Sequence, residues 1–438
     1  MRVTYLGQAC TLIEAAGRKI LVDPWLTEGA YFGTWFHTHL LADAGVSLTS
    51  IPRDIDYLFL SHEHQDHADP ETLRNINPDT PVLICKFPSD RFRKHLERLG
   101  FRNIRELPSG EEQDLGDGLR VTIIGTAEYT NDSAIVVAAD GCRVFNETDC
   151  KLSFPDLTRE AAKGIDLGFY MFSGANWYPM LYDYDEPTMR QLIGRRRTGL
   201  LKGFVARVRA TKPKVVVPGA GPCTVLDPAQ LALNSEEHGI FVDPAVAVAA
   251  IERAALAAQP LYMAVSDVWD SARGFESHAL DLVRRPRTDY LREASARVAD
   301  DITRRRDAET PAGSDFANRF ATYFNERVAA QTETIRRRIG AKLGFCIAGP
   351  QGGDFTVDFT APDGEYVRAG LAPDWTYRIA TEDKLRYPFL TGQMEFLEDL
   401  FLSLRVRLSR RPDQYNEPLY HFLYDPDPAR LHDWYEKH

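Results

Sequence analysis

Three histidines and an aspartate fall within the stretch SHEHQDH, residues 61–67. Imidazole nitrogens and carboxylate oxygens are the donors that zinc, iron and manganese take from proteins. The absence of cysteine from the run argues against a purely structural zinc site. His62 and His64, alternate residues after an apolar run, can face one ion. Asp66 and His67, one turn on, can face a second ion a few ångströms away. The whole chain holds eleven histidines, so three in one short loop is a concentration that asks for a purpose.

Other residues could join such a centre. His37 and His39, in TWFHTH, can approach it as pocket-lining groups or ligands, across the loop that follows Asp23. Trp177 and Tyr178 share the loop FSGANWYPM with glycine, where aromatic rings can floor a substrate pocket or pack in a core. Tyr129 is a further candidate lining residue. The run GRRRTGLLKGFVARVRATKPK is basic and can meet an anionic substrate, although a solvated helix face explains it as well. PGAGP offers backbone N–H groups to an anion. His238, in NSEEHGIF, reads as a surface loop residue.

These groups need elements to hold them. RVTYLG, TLIEAAG and KILVDPW alternate and end in turn residues, as strands of a meander do. DYLFL, directly before the histidine run, and TPVLICK read as buried strands. Between them, DPETLRNI opens with an aspartate suited to cap a helix. SDRFRKHLERLG reads as an amphipathic helix ending at glycine. LRVTIIG, SAIVVAADG and RVFNETD add three strands, and DEPTMRQLIGRRRTGLLKGFVARVRA a long helix before the strand KVVVPGAG. Residues from about 240 to 340 turn alanine-rich, charged and helical. GFCIAG, DFTVDFTAPDG and YVRAGL then return to strand signals, and QMEFLEDLFLSLRVRLSR predicts a closing amphipathic helix. This alternation predicts an α/β architecture of layered sheets flanked by helices. Its expected domains are a metal-binding domain over 1–240, a helical segment over 241–342 and a C-terminal α+β extension over 343–438.

Composition narrows the partners. At 438 residues the chain is long enough for two or three domains. A net charge of −11 argues against nucleic acid and anionic membranes. No run approaches the length of a membrane span, and the first residues do not read as a signal peptide. Six scattered cysteines with no CxxC pair argue against a disulfide framework and a cysteine-bound cluster, and favour a reduced, cytoplasmic compartment.

The pattern His62-x-His64-x-Asp66-His67 resembles the signature of the metallo-β-lactamase fold, an αββα sandwich. That resemblance implies a role for Asp23, in LVDPW, in orienting a ligand histidine by a hydrogen bond. It implies that Asp149, in NETDC, bridges two cations. Two positions depart from the family. No histidine exists from 96 to 237, and Glu128 lies where the third-motif histidine is expected. A small group of oxygen-activating diiron enzymes on this fold also carries glutamate there, which implies a harder site favouring iron or manganese over zinc. The family's final histidine is replaced by Gly219, Ala220 and Gly221, so the ligand completing the second ion is open.

FSGANWYPM, KPKVVVPGAGP, GGDFTVDF and SLRVRLSRRPDQYN resemble, in order and spacing, the metallo-β-lactamase-fold part of the CMP-N-acetylneuraminate hydroxylase family. That family also carries a Rieske domain held by Cys-x-His and Cys-x-x-His pairs, and neither pair occurs here. The Rieske electron route is therefore not expected. The resemblance implies a dinuclear non-haem iron oxygenase that hydroxylates or N-oxygenates a small metabolite, anionic or nucleotide- and sugar-like. It would use His62, His64, Asp66, His67, Glu128 and Asp149 for two metal ions, with Asp66 and Glu128 as catalytic groups. Dioxygen, an external reductant and an electron-donor protein would complete it. The alternative is a dinuclear hydrolase of phosphodiesters, lactones or amides, in which Asp66 orients a metal-activated water.

Overall fold

The computed structural model describes residues 1–362 and 364–437. The chain divides into two compact units, Met1–Ala175 with Arg190–Ile302, and Asn176–Met189 with Thr303–His438. This differs from the division at 240 and 342 read from composition. The alanine-rich helix Pro244–Arg253 belongs to the first unit because Ala247 and Ile251 pack on the outer face of one of its sheets. Tyr290, Leu291 and Ile302 likewise close over Phe36, Leu40 and Leu226 of that unit.

In the first unit one sheet has eight strands, ordered Gly274–Glu276, Val268–Asp270, Arg2–Gly7, Cys10–Ala15, Arg18–Val22, Tyr57–Phe59, Val82–Cys85 and Ile104–Leu107. The other has seven, ordered Gln259–Pro260, Val215–Gly219, Leu167–Met171, Cys142–Asn146, Ser133–Ala139, Leu119–Gly125 and Glu112–Gly116. Val3, Ile13, Ile20, Phe59 and Leu83 from the first meet Val121, Ile135, Val137, Val144 and Phe169 from the second in one buried core. Each sheet is covered on its outer face as well. Phe92 and Leu96 of the helix Arg91–Arg98 pack on the first. Phe204 and Val208 of the helix Glu186–Thr211 pack on the second. This is the expected αββα layering. It explains why Ser133–Ala139 reads as an unbroken apolar run: Ile135 and Val137 face the opposite sheet while Ala134 and Val136 face helices.

The second unit is built on a five-stranded sheet, Val367–Ala369, Gly353–Asp358, Lys342–Ala348, Tyr377–Glu382 and Arg407–Arg410. The helix Phe316–Ala329 lays Phe316, Phe320 and Phe324 on it at helical spacing. The Phe320 ring lies 4.5 Å from that of Phe355 and 4.9 Å from that of Phe345. The closing helix expected from QMEFLEDLFLSLRVRLSR is instead a short helix, Glu398–Leu402, followed by the strand Arg407–Arg410. Leu404 takes φ 55° and stops the helix, and the R-L-S-R alternation then pairs antiparallel with Tyr377–Glu382. Among the described residues no helix is long and apolar enough to cross a membrane.

Candidate metal centre

The strand Tyr57–Phe59 lies inside the first sheet, with parallel neighbours on both sides. Leu58, Phe59 and Leu60 are fully buried, so the residues at the strand's C-terminal end start from a fixed origin. The chain then turns sharply. The N–H groups of His67 and Ala68 both donate to the His64 carbonyl, at 3.0 and 2.8 Å. Asp69 accepts the Thr72 N–H at 3.0 Å and caps the helix Pro70–Arg74, with Pro70 in its first turn. SHEHQDH is thus clamped between an enclosed strand and a capped helix.

His62, His64 and Asp149 converge, with one donor atom from each lying within 4.8 Å of the others. His62 Nε2 is 2.7 Å from His64 Nδ1 and 3.7 Å from Asp149 Oδ1. The same Asp149 oxygen lies 3.7 Å from His67 Nε2, which is 3.6 Å from Asp66 Oδ2. Asp149 therefore stands midway between two groups of donors. Its Oδ1 is buried and has no hydrogen-bond partner, as is His64 Nε2. An unpartnered buried carboxylate oxygen such as Asp149 Oδ1 is costly in a protein interior.

Ser61 and Asp23 fix the ring orientations. Asp23 ends the strand Arg18–Val22 and is fully buried. It accepts the Ser61 N–H at 2.7 Å and the Ser61 hydroxyl at 2.6 Å, and lies 2.8 Å from His67 Nδ1. Ser61 Oγ in turn is 2.9 Å from His62 Nδ1. These partners place the ring protons of His62 and His67 on Nδ1 and aim both Nε2 lone pairs forward. The His62 and His64 nitrogens then face each other at a distance where lone pairs repel unless a cation or proton lies between them.

The electrostatics agree with a cation site. Burial, then the neighbouring His67 and His64, hold His62 well below the ordinary histidine value. Burial also lowers His64, so both are neutral imidazoles ready to donate lone pairs. Burial alone would lower His67, but Asp149, Asp66 and Asp23 outweigh it and hold the ring well above its ordinary value. Burial raises the Asp23 carboxyl against the pull of His67 and Ser61.

The loop that carries Asp149 is anchored by the three residues before it. Asn146 Nδ2 donates to the Ala9 carbonyl at 3.0 Å, and Thr148 Oγ1 to the Ser133 carbonyl at 2.9 Å. Glu147 accepts the Met171 N–H at 3.1 Å and Arg207 Nε at 3.0 Å. Burial pushes the Glu147 carboxyl up to about 7 despite Arg207. A carboxyl raised in the folded state contributes stability at low pH that is lost as pH rises through the folded value. Glu147→Gln lacks this dependence. Its stability relative to wild type should therefore improve as pH rises from 4.5 to about 7, as read by urea unfolding at a series of pH values. A flat difference would contradict it.

The structure does not bring Glu128 into the cluster. Its side chain is 52% exposed and pairs with Lys151 at 3.5 Å. The carboxylate beside His62 is Asp132, with Oδ1 3.4 Å from His62 Nδ1. Burial and then Asp149 hold the Asp132 carboxyl well above the usual range. The loop joins two antiparallel strands in register at Ser133 and Gly125, and Ser133 Oγ donates to the Ser61 carbonyl at 2.9 Å. A residue adjoining that strand is held in place, whereas one at mid-loop is not. An aspartate placed directly before a fully apolar strand was the available signal for Asp132.

His37 is buried and stacks on Trp25 at 4.0 Å. Burial drives its pKa down to about 3, in the field of Asp66. Gly7 leaves it room, since a Cβ there would lie 2.7 Å from His37 Nδ1. His39 packs edge-on against Tyr290 at 4.9 Å and lines a small cavity with Gly7, Gln8 and Gly221. Tyr129 is buried. Trp177 and Tyr178 lie in the second unit, where Trp177 stacks on Phe401 at 5.0 Å and Tyr178 meets Tyr182 edge-on at 5.4 Å. His238 lies near Ser235 in an exposed turn.

Comparison with known proteins gives the following. Residues 2–166 match the sequence profile of the family described as Beta-lactamase superfamily domain. A Mycolicibacterium smegmatis protein provisionally named a Rieske 2Fe-2S iron-sulfur protein is 30% identical over 455 aligned positions, spanning 97% of this chain and 84% of its own length. The cytidine monophosphate-N-acetylneuraminic acid hydroxylase of Danio rerio is 29% identical over 236 positions, 52% of this chain and 39% of that protein. Among solved structures, CmlA, a diiron beta-hydroxylase from Streptomyces venezuelae, overlays with a TM-score of 0.39 at 20% identity, over 60% of this chain and 52% of its own.

Proposed function

We propose, from the premise that this chain belongs to the metallo-β-lactamase-fold superfamily, that it is a dinuclear non-haem iron oxygenase acting on a small molecule. The observation that supports this most is the set His62, His64 and Asp149. Two imidazoles and one carboxylate with further positions open suit non-haem iron as they suit catalytic zinc. The hydroxylase named among the relatives supports the same reading.

His62 Nε2, His64 Nδ1 and Asp149 would hold one ion. His67 Nε2, Asp66 and the shared Asp149 would hold the other. A pair of irons bound there supplies dioxygen binding and reduction, which zinc cannot supply because it has no accessible redox change. The chain's own residues do the rest. Asp23 and Ser61 hold His67 in one tautomer, and Ser61 does the same for His62, with the Asp132 carboxyl beside the ring. The two sheets and their helices keep bulk water from the floor of the site. Electrons would come from an external reductant or a donor protein. The substrate's chemical class is a small metabolite.

Protein from iron-supplemented cells should contain about two irons per chain and consume dioxygen when given a reductant. Stoichiometric zinc with hydrolysis of a phosphodiester would overturn the reading in favour of a dinuclear hydrolase. Asp132→Asn should weaken iron binding by about 10- to 100-fold, while Glu128→Ala, which disturbs only an exposed pair with Lys151, should leave iron content unchanged. Loss of iron from Glu128→Ala with retention in Asp132→Asn would reverse the two assignments.

A further inference from the structure

Residues 29–35, GAYFGTW, contribute none of the ligands assigned above, yet they are bent around one of them. Tyr31 and Phe32 both adopt left-handed backbone, at φ 53°, ψ 66° and φ 59°, ψ 32°. Such conformations are unfavourable for bulky residues and persist only when the surroundings impose them. Tyr31 is fully buried, and its ring meets Trp35 edge-on at 4.9 Å. Its N–H donates to Gln65 Oε1 at 2.9 Å, so the residue just before Asp66 clasps its backbone. Its hydroxyl donates to Asp66 Oδ1 at 2.5 Å. The other Asp66 oxygen, Oδ2, is the one that lies 3.6 Å from His67 Nε2, and it also accepts Gln8 Nε2 at 3.3 Å.

We propose that Tyr31 is a positioning residue for the second metal subsite: by holding Asp66 Oδ1 it presents Oδ2, beside His67, as the single metal-facing oxygen. This rests on the dinuclear reading above. A carboxylate pinned at one oxygen binds through the other and cannot swing to chelate or turn away. The strained segment is the cost of placing a phenol there. Gln8 has the opposite effect, because its amide competes with a cation for Oδ2.

The test is a titration of the metal-free full chain with Co2+, following the visible cobalt absorption and the bound metal per chain. Wild type should take two equivalents. Tyr31→Phe keeps the ring and loses only the hydroxyl, so it should bind the first equivalent as wild type does and the second about 10-fold or more weakly. Gln8→Asn withdraws the amide by one methylene and should bind the second equivalent as tightly as wild type or more so. The melting temperature of each metal-free variant is read alongside. Equal affinity for the second equivalent in Tyr31→Phe and wild type overturns the proposal alone. So does a parallel loss of both equivalents with a lowered metal-free melting temperature, which would mark Tyr31 as structural. Should Tyr31→Phe not fold, a weakened second equivalent in Gln8→Asn overturns the proposal and an unweakened one supports it. One equivalent or fewer in wild type removes the dinuclear reading and this proposal with it.

Discussion

Asp149→Asn should lose both metal ions and nearly all turnover, with little change in the stability of the metal-free fold. Asp149 Oδ1 is 3.7 Å from His62 Nε2 and 3.7 Å from His67 Nε2, so removing its charge weakens both halves of the centre at once. The same oxygen is buried with no hydrogen-bond partner, and its charge raises the carboxyl of Asp132. A neutral amide of the same shape removes that repulsion but also the attraction that helps hold the His67 ring charged, so the metal-free fold should change little in stability. The loss of turnover should exceed about 1000-fold, as for removal of a group that organises the whole site. Urea unfolding of both metal-free proteins, with metal analysis and a turnover assay, checks both parts. A variant that still holds two metals would contradict the bridging role.

Asp23→Ala should do the reverse and damage the scaffold first. Asp23 is 0% exposed and lies against the Ser61 N–H, the Ser61 hydroxyl and His67 Nδ1. Alanine leaves all three without their acceptor and leaves a cavity at the end of the strand Arg18–Val22. Breaking a buried, hydrogen-bonded charge pair by removing one partner costs about 3–5 kcal/mol. Urea unfolding should show that loss in the metal-free protein, before any ion is added. Metal affinity should then fall mainly for the ion at His67, because His62 keeps Ser61 and Asp132. A loss below about 1 kcal/mol would mean that Ser61 alone carries the orientation.

The sequence made the histidine loop legible because three local signals agree there. An apolar run precedes it, a helix-capping aspartate follows it, and donor residues sit at spacings that a tight turn can gather. Asp149 was singled out by the family resemblance and not by a local signal of its own. Glu128 and Asp132 show where such reading stops. The segment TAEYTND contains two carboxylates, and nothing local says which one the turn sends inward. That choice depends on the register Ser133↔Gly125 and on the Ser133–Ser61 hydrogen bond, which are tertiary facts. Tyr31 was invisible for a deeper reason, since its conformation opposes its own local preference. RVRLSR was misread because charge and apolar residues there fit a helix as well as a strand until Leu404 breaks the run. Trp177 stacks on Phe401, more than two hundred positions away, a neighbour that no local pattern discloses.

The histidine loop grows from Tyr57–Phe59, a strand flanked on both sides and sealed on both faces. Backbone amides in such a position exchange with solvent only when the whole domain opens. Cargo and vessel should therefore be separable. Where small metal-folded modules collapse when stripped by a chelator, the enclosed strand predicts that this cup keeps its shape on chelation and takes metal again without being rebuilt.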